Sequence, residues 1–439
     1  MNKIKINFQS SNKEKKMLKV LLVSYGFRCQ LYSGFAAETD GVEISAVVEP
    51  NDFRRNLAKE RFNIKEEMCF KSVDEAMAAG KIADCAINGT MDQFHYQTTM
   101  PLLEHGYHVL LEKPVTSDKT ELLKLKETAE KNHVVLMICH LLRYTPFYSK
   151  IKKLIDDGEV GEIMTIEASE NVGVIHASSA FIRGKWRNSK TDGSTLLMAK
   201  CCHDLDYLCW LNNATKPAYV SSFGSRNFLA PEKAPEDAPL RCMDGCPHQE
   251  TCQWSAYRDY IKSTLFSYYA FETIDKPYDE ITVEERIKSL KTDNVHGVCA
   301  YKTDKDMVDN QMLIIQFANG STASLALMLG AMKPKRDIHI VGTAGEIEGT
   351  FEDSRIVLRK FEETNYCTEQ VFDLSGEDGV NFGHMGGDGR LVDDFLKMVQ
   401  GKKPSPAYTS IADSVNGHLC VYAADEAREN MTVVKVDSI

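Results

Sequence analysis

At 439 residues the chain exceeds what one hydrophobic core organises, so two or three domains are expected. A hydrophobic fraction of 43% and a charged fraction of 26% are those of a globular protein, and no window approaches the ~18 consecutive apolar residues that span a bilayer. The net charge of −11 argues against nucleic acid and anionic membrane, both of which call for clustered Lys and Arg.

The first sixteen residues, MNKIKINFQSSNKEKK, read as a polar extension, since Lys, Asn and Gln interrupt any apolar stretch a secretory signal would need. Without such a signal, thirteen cysteines point to a reducing, cytoplasmic setting in which they serve as core, ligand or nucleophile. From residue 18 to 112, buried runs alternate with amphipathic stretches. LKVLLVS (18–24), EISAVVE (43–49), ADCAING (83–89) and YHVLLEKP (107–114) are predicted strands, with helical patterns such as DFRRNLAKERF between them. That order builds a doubly wound parallel sheet of Rossmann type. VVLMICHLLRY (134–144) is predicted as a further strand and PFYSKIKKLIDDGEVGEI as a helix ended by a Gly turn, which puts the domain boundary near Arg143. The dinucleotide-binding domain is thus expected over 17–143 and a substrate and oligomerisation domain over 144–439. In the second domain IMTIEAS, AYVSSFGS, QMLIIQFANGSTASLALML, RDIHIVGT and GEIEGTF predict a large, open, mostly antiparallel sheet, followed by a helix over 412–431.

The nucleotide site is expected after the first strand, in VSYGFRCQLYSGF. Ser24, Gly26 and Cys29 occupy the three glycine positions of a GxGxxG loop, so only the glycine that lets a pyrophosphate approach the backbone is retained. Phe27 and Arg28, opening the next helix, join the expected cofactor contacts. Glu49, 23 residues beyond Gly26, ends the second strand near the ~20-residue spacing of a carboxylate that binds ribose hydroxyls. Such a carboxylate repels a 2′-phosphate, while Arg54 and Arg55 offer one a partner; NAD is favoured over NADP. Lys113, at the carboxyl end of a parallel strand, sits where such sheets bind ligands. There an amine can stabilise or relay the proton of an alcohol that loses a hydride.

EKP at 112–114, the GTMDQFH segment (89–95), LLRYTP (141–146), FIRGKWRN (181–188), KCCHDLDYLCWL (200–211) and GGDGRLVDDF (386–395) occur in an order that resembles the Gfo/Idh/MocA family of sugar oxidoreductases. The resemblance implies that Lys113 lies beside the nicotinamide and the reacting hydroxyl, that Glu112 supports the cofactor ribose, and that Thr90 and His95 line the cofactor cleft. It also implies a cis peptide bond before Pro114. In the family motif GGxxxDxGxHxxD, His203 and Asp206 fit the last two polar positions, three residues apart on one helix face where they can share a proton. The carboxylate usually four residues before the histidine is Ala199 here, followed by Lys200. Lys200 is then either a second amine at the hydroxyl or a helix-face partner of Asp204. Arg183, Trp186 and His384 are expected on the sugar side, because carbohydrates are held by planar hydrogen bonding and aromatic faces.

RCMDGCPHQETCQW brings Cys242, Cys246 and Cys252 into a loop-like insertion near 235–300, and Cys299 completes four thiols. These suit zinc or an iron–sulfur cluster, or are scattered reduced cysteines. The resulting expectation is hydride transfer between a sugar or glycoside ring carbon, carbon 3 being a candidate, and nicotinamide. Two alternatives are an NAD-dependent glycosidase working by transient oxidation, elimination, water addition and re-reduction, and a non-catalytic sugar or nucleotide sensor. The expected partners are a small sugar or glycoside and further copies of the chain.

Overall fold

A computed structural model describes residues 17–377 and 383–438. The expected polar extension 1–16 lies outside it. In the N-terminal half, β1 (Leu18–Val23), β2 (Val42–Val48), β3 (Cys69–Phe70), β4 (Cys85–Asn88), β5 (His108–Leu111) and β6 (Leu136–Ile138) form one sheet in the order β3-β2-β1-β4-β5-β6. Every pairing is parallel. The helices α1 (Phe27–Ala37), α2 (Asp52–Phe62), α3 (Val73–Ala78), α4 (His95–Glu104) and α5 (Lys119–Lys131) supply the crossovers. The order reverses between β1 and β4, and open sheets of this kind bind ligands in the crevice at that reversal. Because the central strands are covered on both faces, Val20 to Leu22 and Cys85 to Ile87 are fully buried, which explains their unbroken apolar sequence.

The strand predicted over 134–144 stops at Ile138, where the Ile138 amide donates to the Thr409 carbonyl of the returning chain at 2.9 Å. The sequence then turns through a short helix, Leu141–Tyr144, into α6 (Pro146–Asp156), whose Thr145 side chain caps the Tyr148 amide. The apolar run is one element by composition but two by hydrogen bonding, and the break delivers His140 and Arg143 to the interior.

The second sheet has nine strands: β7 (Ile163–Gly173), β8 (Pro217–Ser225), β9 (Asn310–Phe317), β10 (Thr322–Ala331), β11 (Lys335–Gly342), β12 (Glu346–Thr350), β13 (Arg355–Glu362), β14 (Tyr366–Asp373) and β15 (Val433–Lys435). Their order is β14-β13-β12-β11-β7-β10-β9-β8-β15, antiparallel except for the central β7–β10 pair. One face packs on α7 (Leu196–Leu211) and the C-terminal helix α8 (Ile411–Asn430). The strict alternation of β9 leaves Met312 and Ile314 exposed on the other face, beside exposed Phe223 and Met328. Ser225 pairs directly with Asn310, so residues 226–309 are an insertion at the tip of the β8–β9 hairpin. Among the described residues no helix is long and apolar enough to cross a membrane.

Candidate active site and nucleotide cleft

The turn from β1 to α1 departs from three glycines without losing their physical roles. Ser24 takes the left-handed backbone conformation, φ 77°, and Gly26 is the N-cap of α1, a helix with no side-chain cap. A Cβ built on Gly26 meets nothing closer than Ser24 Oγ at 3.7 Å, so this glycine leaves space rather than relieving a clash within the protein. At the third position Cys29 is fully buried, and the close approach moves to the other partner: a Cβ on Gly89, at the end of β4, would stand 3.0 Å from Cys29 Cβ. The helix approaches the sheet because the strand side carries the glycine.

Glu49 is buried at the end of β2, its carboxylate accepting the Tyr25 amide at 2.7 Å and the Asn51 amide at 3.0 Å. It braces the glycine turn. Arg55 donates to the Glu49 carbonyl at 2.6 Å, and Arg54 reaches the Glu272 carbonyl of the insertion at 3.4 Å. The insertion also stacks Tyr268 on Phe27 with ring centroids 4.8 Å apart, so it covers the outer rim of the nucleotide turn. On the other side of the switch point, Asn88 holds Thr90 through its side-chain oxygen, and the His95 ring lies between the Thr90 and Pro114 carbonyls at 2.9 and 2.6 Å.

The Lys113–Pro114 peptide is cis. Glu112 accepts Arg28 Nε at 2.9 Å, the Tyr32 hydroxyl at 2.7 Å and the Lys113 amide at 2.9 Å. Burial alone would raise its carboxyl, but the cations Arg28 and Lys113 outweigh that and hold it below the usual carboxylate range. Arg28 also pairs with Asp388 in the first turn of the helix Gly387–Val399, so it ties the two domains together. Lys113 Nζ donates to the Ala199 carbonyl at 2.6 Å and lies 5.9 Å from the Trp186 ring centre. Trp186 is oriented by Asp92, which accepts its indole N–H at 2.9 Å and the Ser194 hydroxyl at 2.7 Å.

The helix carrying His203 begins at Leu196, capped by the Thr195 side chain. Ala199 and His203 are therefore one helical turn apart on one face, which brings the Lys113 amine and the His203 imidazole to the same stretch of α7. Behind His203 stands a buried imidazole pair, with His140 at 5.5 Å from the His203 ring centre and 5.4 Å from that of His418. Burial, reinforced by His418, Arg143 and Lys113, holds His140 well below the ordinary histidine range. His418 accepts the Val115 amide at 3.0 Å and is lowered by burial as well.

Residues 18–140 match the Gfo/Idh/MocA family as "oxidoreductase family, NAD-binding Rossmann fold", and residues 152–436 match its C-terminal alpha/beta domain. The chain belongs to the Gfo/Idh/MocA family of oxidoreductases. It is 25% identical over 390 residues to a putative oxidoreductase, YteT, of Bacillus subtilis, covering 85% of this chain and 86% of that protein. It is 29% identical over 178 residues to an inositol 2-dehydrogenase of Corynebacterium glutamicum, covering 39% of this chain and 47% of that enzyme. A 2,7-anhydro-N-acetylneuraminate hydratase of Escherichia coli is 24% identical over 155 residues, 35% of this chain and 40% of that enzyme. The fold is shared with levoglucosan dehydrogenase in its apo form, at a TM-score of 0.70 and 17% identity over 97% of this chain and 100% of that one.

Against the expectations for this family, three residues stand elsewhere. Asp206, expected to share a proton with His203, is engaged with Arg143 instead: its carboxylate receives Arg143 Nη2 at 2.6 Å and Nε at 2.7 Å in a fully buried fork. Lys200 pairs with Glu170 at 3.3 Å, and Glu170 and Asp204 in turn hold Arg336. Of the two sequence readings of Lys200, the helix-face partner of Asp204 is the nearer: the Lys200 charge acts on the Asp204 carboxyl, while the direct ion pair is with Glu170 on β7. Arg183 is completely buried, donating to the Val298 carbonyl at 2.7 Å, the Ser178 hydroxyl at 2.5 Å and the Trp254 carbonyl at 2.6 Å; it fastens the insertion and offers nothing to a sugar. His384 lies on the short helix Gly383–Gly386, with its side chain outside the described residues.

Cys242, Cys246, Cys252 and Cys299 line one cavity in the insertion. All thirteen cysteines are free thiols, and among the described residues no three His, Cys, Asp or Glu side chains stand at coordinating separations. His140, His418 and Asp92 were not legible as site residues. A histidine inside the apolar run 134–144 was the available signal for His140, and Asp92 lay in the GTMDQFH segment; His418 carried none.

Proposed function

We propose that this chain is an NAD-dependent dehydrogenase that oxidises a ring hydroxyl of a sugar or cyclic polyol, with Lys113 and His203 managing the hydroxyl proton. The observation that carries the reading is the Lys113 amine bound to the Ala199 carbonyl, one helical turn from His203 and beside the Trp186 indole. The open space over Gly26 and the uncapped start of α1 fit a dinucleotide pyrophosphate. NAD is preferred to NADP because Glu49 places negative charge at the end of β2, while Arg55 and Arg54 are engaged with backbone carbonyls. When bound, the nicotinamide supplies a hydride acceptor. Lys113 stabilises the alcohol oxygen as its proton leaves, and His203 accepts that proton, backed by the buried His140. Trp186, fixed by Asp92, presents a flat apolar face to the C–H side of the ring.

The likeness to a hydratase supports a second reading in which the oxidised sugar eliminates or adds water before the hydride returns. The same first step serves both. The experiment incubates the purified protein and NAD with cyclic polyols, hexoses and nitrophenyl glycosides. Stoichiometric NADH supports the dehydrogenase, and aglycone release without net NADH supports the second reading. In either case Lys113→Met should lower kcat by ~10²-fold or more while NAD affinity is retained. Tight NAD binding without turnover on any of these substrates would refute catalysis.

A further inference from the structure

The insertion 226–309 has a small core of its own for its length. That core consists of Cys242, Ala256, Tyr260, Ala270, Phe271, Ile281 and Leu290, while Leu229, Trp254, Ala300 and Met307 pack into the main core, and the segments between are short turns and helices. Units with so small a core are ordinarily held by disulfides or a structural metal. Disulfides are absent here, since every cysteine is a free thiol.

We propose that Cys242, Cys246, Cys252 and Cys299 bind one zinc ion that staples this insertion. Backbone pairing sets Cys242 and Cys299. Arg241 bridges Val298 in antiparallel fashion, the Cys242 amide donates to the Gly297 carbonyl at 2.9 Å, and the Cys299 amide donates to the Leu240 carbonyl at 2.8 Å. Residues flanking such a pair share the opposite face, so Cys242 and Cys299 project as diagonal neighbours. The other two come from one tight loop, in which Gly245 takes φ 79°, Gln249 donates to the Cys246 carbonyl and Cys252 donates to that of His248. All four side chains line one cavity of about 20 Å³, room for a single small guest, with their sulfurs short of coordinating separations. His248 also lines it, but its Nε2 lies 2.7 Å from Asp237.

Two sulfurs already receive N–H groups. Arg183 Nη2 lies 3.6 Å from Cys242 Sγ, and the Trp254 amide lies 3.4 Å from Cys252 Sγ. A zinc ion with four thiolates carries a net charge of about −2, and donors of this kind, with a buried guanidinium among them, offset it. Closing on the ion requires the thiols to turn inward by side-chain rotation. In that step four S–H bonds are replaced by four Zn–S bonds, four protons pass to the buffer and no electron moves.

The inference is independent of the dehydrogenase reading, and its test reads metal content rather than activity. Protein expressed with zinc in the medium is exhaustively dialysed and analysed by elemental mass spectrometry. One zinc per chain is expected, released in step with the titration of four thiols by a mercurial. Cys246→Ser and Cys252→Ser should each lose the zinc, whereas Cys367→Ser, on the distant strand β14, should keep it. Cobalt added to protein freed of metal should develop thiolate-to-cobalt absorption. Wild-type protein devoid of zinc, protein carrying iron and sulfide instead, or a Cys246→Ser variant that keeps its full zinc would each overturn the proposal.

Discussion

Asp206→Asn separates a structural from a catalytic role for this carboxylate. Asp206 and Arg143 are each 1% exposed, and the fork between them is made of two contacts at 2.6 and 2.7 Å. An asparagine retains one oxygen but turns an NH₂ toward the second guanidinium nitrogen, leaving the cation buried without a counter-charge. Breaking a buried pair in this way costs about 3–5 kcal/mol. Burial raises the Asp206 carboxyl despite Arg143, which marks the site as strongly desolvated. Urea unfolding followed by tryptophan emission is a suitable assay, because Trp210 lies 5.3 Å from the Arg143 guanidinium. The midpoint should fall markedly in Asp206→Asn, and the double variant Arg143→Met/Asp206→Leu should recover most of the loss by removing both charges. An unchanged midpoint combined with a fall of about 10²-fold in kcat would refute the structural reading and return Asp206 to the proton route.

Acid sensitivity should have a source in the insertion. Burial drives His296 from 6.5 down to about 4, so its neutral form contributes stability that is complete above 6.5 and is lost as pH falls through about 4. That loss amounts to about 3 kcal/mol, and His296→Gln should flatten this limb of a stability–pH curve; an unaltered slope would count against it. Gly89→Ala should cost about 1–3 kcal/mol by pressing on Cys29, with partial recovery when Cys29→Gly is added. Equal thermal midpoints for wild type and Gly89→Ala would show that the contact relaxes freely. Phe27→Ala should weaken NADH binding several-fold in a fluorescence titration by removing the stacked contact with Tyr268, worth about 0.5–1.5 kcal/mol. An unchanged Kd would mean that the insertion does not stabilise the cofactor rim.

The N-terminal sheet was readable from sequence because strands covered on both faces must be apolar throughout, whereas β3, two residues long, leaves no such mark. Lys113 was readable for a similar reason, since the end of a buried strand fixes where the next side chain can go. Spacing along a helix told less. His203, Asp206 and Lys200 share α7, but which of them faces the cleft depends on the direction of the whole helix, and that is set by packing against the sheet and α8. Arg183 misled because a guanidinium suited to a sugar is equally suited to three carbonyl and hydroxyl acceptors inside a loop. His418 lies more than 300 residues from the Val115 amide it accepts, a distance no local pattern spans.

The direct pairing of Ser225 with Asn310 means that the hairpin is complete without the segment it carries. A short turn at that point would preserve the ladder on either side, so the excursion is an addition to a closed hairpin, seated on the body of the protein through Trp254 and the buried Arg183. Changes in its length and composition can remodel the rim of the cleft while the strand ends bearing Lys113 and the helix bearing His203 keep their framework.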